Sequence, residues 1–329
     1  MRILYAVQAT GNGHISRAHQ LYPHLSQYGE VDIFLSGSNA TLPLNLPVKY
    51  RSKGVSLFYS QCGGLDYLST WRAFDLRHVL KQAADLPVEK YDLVLNDFEH
   101  ITARACRLKK KKSVQFGHQA SFASEKTPRP NKKRFLGELI LKKYAPADHF
   151  VGLHFDSYDS FIFPPVIKNE FLDVRTEDHG HISVYLPAYR THCIEKALKS
   201  LSPQQFHWFL PDIEIPFTVG NITYFPVNQY FFNESLIYCK GLITGGGFET
   251  PAEALYLGKK LMSIPIAGQY EQECNAAALK TAGARVMTNC GEDFDQNIHE
   301  WLLSPLNQKQ GVANNIQKTL SYIFSLPTN

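Results

Sequence analysis

No apolar run among the 329 residues reaches the roughly 18 needed for a membrane-spanning helix. The opening Met-Arg-Ile-Leu-Tyr-Ala-Val-Gln runs straight into glycines, without the apolar core and small-residue cleavage site of a signal peptide. Cys62, Cys106, Cys193, Cys239, Cys274 and Cys290 are scattered, with no Cys-x-x-Cys pair. That spacing argues against a metal cluster and predicts free, buried thiols in a reducing cytoplasm. There is no internal repeat. Gly11-x-Gly13 has no third glycine, so it does not complete the Gly-x-Gly-x-x-Gly turn of a dinucleotide-binding dehydrogenase. No motif for stacking nucleobases accompanies the basic residues, so nucleic acid is not an expected partner. At 44% hydrophobic and 19% charged, the chain is globular and not disordered.

The length suits two domains of about 150 residues. Charge divides along the chain. Residues 1–150 carry 22 Lys and Arg against 12 Asp and Glu, a balance of +10. Residues 151–329 carry 12 against 18, a balance of −6, so the two halves suit different partners. Ile3 to Val7 is a continuous apolar run of the kind buried in parallel sheets. Strands at 31–35, 48–50, 57–59, 93–96 and 113–116 follow, with helical spacings between them. A second series starts at Ile182. This alternation predicts an α/β fold of two doubly wound parallel sheets. The expected divisions are 1–160, 161–309, and a terminal helix at 310–329 that could pack back on the first domain. Ligands of such sheets bind at the carboxyl ends of the strands. His14, Asp97, Glu99 and His118 all fall at such ends.

The stretch Leu242 to Ala278 carries the most chemistry. Leu242-Ile-Thr-Gly-Gly-Gly-Phe-Glu-Thr-Pro-Ala-Glu reads as a buried strand, a glycine turn and a helix start. Such a turn presents backbone N–H groups, and the helix dipole favours negative charge. Glu253, inside the helix, could take both hydroxyls of a ribose. Gln272 and Asn275 open the next helix, where they could meet a sugar.

These residues resemble a known family. Thr244-x-Gly-Gly-Phe-x-Thr-x-x-Glu253-Ala-Leu, Gly258, Pro265 and Glu271-Gln272-x-x-Asn275-Ala276 are similar to the donor signature of GT-B glycosyltransferases. Phe225-Pro-Val-Asn228-Gln229 resembles the Trp-x-Pro-Gln that precedes it in plant UDP-sugar transferases. Gly11-Asn-Gly13-His14 resembles the glycine turn with histidine in the same fold, including the transferase that makes the peptidoglycan lipid precursor. Gly-x-Gly-His-x-x-Arg17 with Asp97-Phe-Glu99 looks most like a bacterial and archaeal subgroup. Strong motifs occupy only about 60 residues of the chain.

The resemblance implies a GT-B fold, two domains across a cleft, and an inverting sugar transfer without a tightly bound metal or cofactor. The donor would be a nucleotide-sugar, UDP-linked as in the plant enzymes. It would lie against Gly13, Asn228, Gln229, Thr244, Gly246, Gly247, Phe248, Glu249, Thr250, Glu253, Gln272 and Asn275. His14 would be the general base, since an imidazole accepts a proton near neutral pH, and Asp97 would orient it. Asp97 could equally cap the next helix. Arg17, Glu99 and His118 are acceptor-side candidates, and Arg17 could instead form a surface ion pair. The acceptor is open: a glycan, a lipid or a small molecule. Two departures stand out: Gly245 replaces a phosphate-contacting histidine, and Glu249 replaces a neutral asparagine. The Glu249 carboxylate could repel phosphate, point away or bind the sugar. A 2-epimerase-type isomerase and a non-catalytic nucleotide-sugar binder remain alternatives.

The segment Arg129 to Lys143 breaks the βα pattern. It reads as a basic amphipathic helix with two readings. It lies on an anionic membrane, placing the protein on the inner face, or it packs on its own domain with a charged outer face.

Overall fold

A computed structural model describes residues 1–9, 11–37, 44–54, 76–306 and 314–328. The strand expected at 57–59 and Cys62 lie outside them. Among the described residues, the first domain contains β1 (Arg2–Gln8), α1 (Asn12–Leu25), β2 (Glu30–Ser36), β3 (Val48–Ser52), α2 (Leu76–Asp85), β4 (Leu93–Asp97) and α3 (His100–Lys109). It continues through β5 (Val114–Gly117), α4 (Phe135–Lys143), β6 (His149–Leu153) and β7 (Ile162–Phe163). The strands form a parallel sheet in the order β3-β2-β1-β4-β5-β6-β7. The first sheet therefore runs past the division expected at 160, because Ile162 and Phe163 pair with Gly152 and Leu153.

The second domain contains β8 (Ile182–Tyr185), α5 (Thr191–Ser200), β9 (Phe206–Leu210), β10 (Phe217–Val219), β11 (Ile222–Pro226) and α6 (Gln229–Tyr238). It is completed by β12 (Gly241–Gly245), α7 (Glu249–Tyr256), β13 (Lys260–Ile264), α8 (Tyr270–Thr281), β14 (Arg285–Val286) and α9 (Phe294–Leu303). Its order is β10-β11-β9-β8-β12-β13-β14, parallel except for the edge strand β10. α10 (Ile316–Ser325) returns to the first domain, where Phe324 stacks on Tyr28.

Alternation along the strands builds the cores. In β1, Ile3, Tyr5 and Val7 face one helical layer, and Leu4 and Ala6 face the other. All five are fully buried, as a parallel strand covered on both faces requires. In both sheets the strand order reverses beside the first strand, between β1 and β4 and between β8 and β12. Crevices open at such reversals, and the two crevices face each other. Of the five described cysteines, Cys106, Cys239 and Cys274 are buried, but Cys193 is exposed, which corrects the uniform burial expected.

Candidate active site

The first wall is built by three strand ends. Val7 of β1 pairs in register with Asp97 of β4, which brings α1 beside the Asp97 carboxylate. Past Asp97, Phe98 adopts a left-handed conformation (φ 56°) that costs roughly 1–2 kcal/mol in a non-glycine residue. Asn96 braces the turn: its amide nitrogen donates to the Glu99 carbonyl (2.8 Å), and its oxygen accepts from the Glu99 N–H (2.6 Å). The turn sends Asp97 and Glu99 in different directions. Glu99 accepts from the N–H groups of Ile101 and Thr102, so it is the N-cap of α3. Its assignment to the acceptor side is corrected, because it is fully buried with its carboxylate occupied. Asp97 is left to face α1.

Asp97 is completely buried and holds His14, Arg17 and, at 3.4 Å, the Tyr5 hydroxyl. Its Oδ1 lies 2.9 Å from His14 Nδ1 and accepts from Arg17 Nη2 at 2.8 Å, while Oδ2 accepts from Arg17 Nε at 3.0 Å. Arg17 follows His14 by one helical turn, so both side chains leave the same face of α1. Burial pushes the Asp97 carboxyl up, but the charges of Arg17 and His14 outweigh it and hold it below the usual range. Gly117, at the end of β5, makes the close approach feasible. It has φ +127°, and a Cβ there would meet Asp97 Oδ1 at 2.6 Å.

Across the cleft, Arg17 Nη1 also donates to Glu249 Oε1, at the start of α7. Arg17 is 3% exposed, so the surface ion pair considered for it is corrected to a buried bridge between the two domains. Burial pushes the Glu249 carboxyl up to about 7; Arg17 opposes that shift, while Glu253 and Asp97 add to it. Glu253 is also raised by burial, against the pull of Lys168, whose Nζ stands 3.1 and 3.2 Å from its two oxygens.

Between these walls lies a cleft of about 420 Å³. Gly13, Ser16 and Gln20 of α1 line one side, and Asn228, Gln229, Glu249, Thr250 and Glu253 line the other. A smaller hollow of about 170 Å³, sharing Tyr185 and Thr250 with it, is lined by Thr244, Gly247 and Gln272 among others.

Three expected donor contacts, Asn275, Gly246 and Phe248, sit behind this surface, and Gln272 at its edge is tied to them. Asn275 is fully buried, with Nδ2 donating to the Gly246 carbonyl at 3.0 Å. Gln272 Oε1 accepts from Gly246 N (3.2 Å) and Ile266 N (2.9 Å), so its carbonyl end fastens the glycine turn. Gly246 is hemmed in by Gln272 and Pro265, where a Cβ would approach both to 2.9 Å. Phe248 is buried and stacks on His118 with ring centroids 4.0 Å apart. His118, expected on the acceptor side, has both ring nitrogens engaged, with Leu153 O (3.1 Å) and Asn275 Oδ1 (2.7 Å). It joins the domains behind the cleft and does not face an acceptor. Asn228 lines the cleft but also caps α6, accepting from Tyr230 N at 2.8 Å.

The glycosyl transferase family 1 model matches residues 1–304. The chain belongs to that family. This glycosyltransferase has the GT-B architecture. Arabidopsis thaliana UGT89C1 complexed with UDP shares it at 13% identity, covering 98% of this chain and 99% of that one, with a TM-score of 0.59. Phytolacca americana UGT2 complexed with UDP-2fluoro-glucose and pterostilbene does so at 13% identity, 98% of both chains and 0.60. The glycosyltransferase SnogD from Streptomyces nogalater does so at 13%, 98% and 99%, and 0.53. At such identities the likeness establishes the fold. Among curated proteins, none matches the chain.

Sequence reasoning about the glycosyltransferase overlooked Lys168. It comes from the connection between the domains, yet it lines the cleft and pairs with Glu253. A lone cation in a linker carries no periodic or motif signal. Among the described residues, no three His, Cys, Asp or Glu side chains converge to hold a metal ion.

Proposed function

We propose that this glycosyltransferase moves a sugar from a nucleotide-sugar, UDP-linked, to an acceptor hydroxyl with inversion, and that His14 is the base. The observation carrying this reading is the buried His14–Asp97 pair at the strand ends, opposite the glycine turn of the second domain. With its proton on Nδ1 and donated to Asp97, His14 keeps the Nε2 lone pair for the acceptor O–H. The acceptor oxygen forms a bond to the anomeric carbon, and the bond from that carbon to the phosphate oxygen breaks. The proton passes to His14, and the nucleoside diphosphate leaves with the bonding electron pair. Asp97 stabilises the imidazolium that forms. The N-terminus of α7 and the glycine turn lie where backbone N–H groups would meet the diphosphate. Glu253 would take the ribose hydroxyls, oriented by Lys168.

Two measurements test the reading. A thermal-shift panel of nucleoside diphosphates should show stabilisation by UDP, weakened in Glu253→Ala. Hydrolysis of the donor or transfer to a screened acceptor should fall about 10²–10⁴-fold in His14→Ala while the UDP shift persists. If no nucleoside diphosphate stabilises the protein, the donor site is misread. If His14→Ala keeps full turnover, the base lies elsewhere.

A further inference from the structure

The two readings of Arg129–Lys143 differ in what the outer face of α4 carries, charge alone or apolar side chains as well. A helix with charge alone outside would turn its apolar side chains inward. Here Phe135 is 84% exposed, Leu136 46% and Leu139 44%. The inward face carries Gly137, Glu138, Leu141, packed with Phe122 and Tyr270, and the half-buried Ile140, packed against Phe98, Ala103 and Ala145. Gly137 lies so close to the Tyr270 ring that a Cβ would stand 2.4 Å from it, and Glu138 accepts from Tyr270 Oη at 2.6 Å. The inner face is thus committed to its own domain and to α8, and Phe135, Leu136 and Leu139 are left exposed on the outer face. Contiguous exposed apolar side chains of this size mark an interaction surface.

The charges around that face indicate what it meets. Lys132 and Lys133, just before the helix, and Lys143, at its end, are exposed beside the apolar trio. Arg129–Lys143 holds six cations against one carboxylate, Glu138. Arg129, Arg134 and Lys142 are paired with Glu138, Glu273 and Glu125, and Lys133 stands 3.8 Å from Glu125, which leaves Lys132, Lys143 and the exposed Lys133 to face outward. Apolar side chains flanked by lysines complement a surface that is greasy below and anionic above. That is the boundary layer of a membrane containing acidic lipids, which takes both signals together for stable attachment. We infer that the outer face of α4 docks on an anionic lipid surface, with Phe135, Leu136 and Leu139 entering the acyl boundary and Lys132, Lys133 and Lys143 meeting the headgroups. No helix among the described residues is long and apolar enough to cross a membrane, so the attachment is peripheral. The docking stands apart from the sugar-transfer reading, since it uses no residue of the cleft.

The test is co-sedimentation of the full chain, without any sugar donor, with vesicles of neutral phosphatidylcholine or of phosphatidylcholine with 30 mol% phosphatidylglycerol (about a third anionic, comparable to acidic natural membranes). The protein should sediment with the anionic vesicles at low salt and be released as salt screens the lysines. Phe135→Ser with Leu139→Ser should abolish sedimentation. Lys132→Gln, Lys133→Gln and Lys143→Gln should each weaken it about fivefold. These side chains are exposed, so thermal unfolding of the variants should match the wild type; that control separates lost docking from lost folding. Absence of sedimentation at low salt overturns the inference, and so does equal binding to neutral vesicles. A dimer in solution that Phe135→Ser dissociates, with no vesicle binding, assigns the face to a second copy instead. UDP stabilisation is measured on the same preparations. Docking lost with stabilisation intact therefore counts against this inference alone.

Discussion

Glu249 is the residue whose chemistry departs furthest from its sequence position. A carboxylate at the start of a helix is ordinarily favoured by the dipole and stays ionised. Here burial, with Glu253 and Asp97 nearby, raises its pKa from 4.5 to about 7 even with Arg17 in contact. A carboxyl that holds its proton more tightly when folded than when unfolded makes stability fall as pH rises between those two values, and has no further effect above the higher one. The wild type should therefore lose up to roughly 3 kcal/mol relative to Glu249→Gln between about pH 4.5 and 7, read by urea unfolding. Asp97 acts in the opposite sense and in a separate window. Its pKa is lowered from 3.8, so its contribution is intact above that value and is lost only in stronger acid. The same proton bears on the donor. If the diphosphate approaches α7 as proposed, it favours neutral Glu249, and UDP affinity should weaken as pH rises through 7. Glu249→Gln should flatten that slope; an unchanged slope in the variant would place the phosphates away from this carboxyl.

At the scale of elements, the parallel strands were legible because their apolar runs are long and bounded by glycines, as in β1 and β12. The His14–Asp97 pairing was legible only as a shared placement at strand ends, since contact depends on the register Val7–Asp97, which no periodicity encodes. What hid the division of labour between Asp97 and Glu99 was the left-handed Phe98, a conformation that sequence does not announce for a bulky residue. A cap and a site carboxylate two residues apart look alike until that turn is seen. Substitution separates them. Glu99→Ala should cost about 1–2 kcal/mol in thermal or urea unfolding and leave the turnover of the folded enzyme unchanged. A specific loss of turnover would return Glu99 to the site. Lys168 belongs to the same scale, because its connecting segment had no pattern to read. Lys168→Met strips a buried carboxylate of its partner and should weaken UDP binding about tenfold, as for loss of one charge-assisted hydrogen bond. Lys168→Arg should restore part of that affinity in the same titration.

For the whole molecule, chain order and spatial order disagree at the C-terminus. α10 follows the second domain in sequence, yet Leu320 and Ile323 are fully buried in the cluster that includes Ile3, Tyr5 and Val7 of the first sheet. Tyr322 packs on Phe163 of β7, and Lys111 Nζ donates to the Thr328 carbonyl at 3.3 Å. The first domain therefore borrows part of its covering layer from the far end of the chain. The ring and hydrogen-bond contacts of this layer reach Tyr28, Phe163, Lys111 and His149, all in the first domain, so removing it uncovers apolar surface chiefly there. Leu320→Ala should destabilise by about 2–5 kcal/mol, the range for deleting a well-packed leucine, and truncation after 306 should cost more. Native-state amide hydrogen exchange locates the effect. Protection should drop in β1, β6 and β7 while β12 and β13 keep theirs, because openings follow the cooperative unit that lost its contacts. The Asp97–Arg17–Glu249 bridge and the His118–Asn275 contact join the same two units across the cleft. If they weld the domains into one folding unit, the truncation deprotects both sheets equally, and the first domain's dependence on α10 can no longer be distinguished from that of the whole chain.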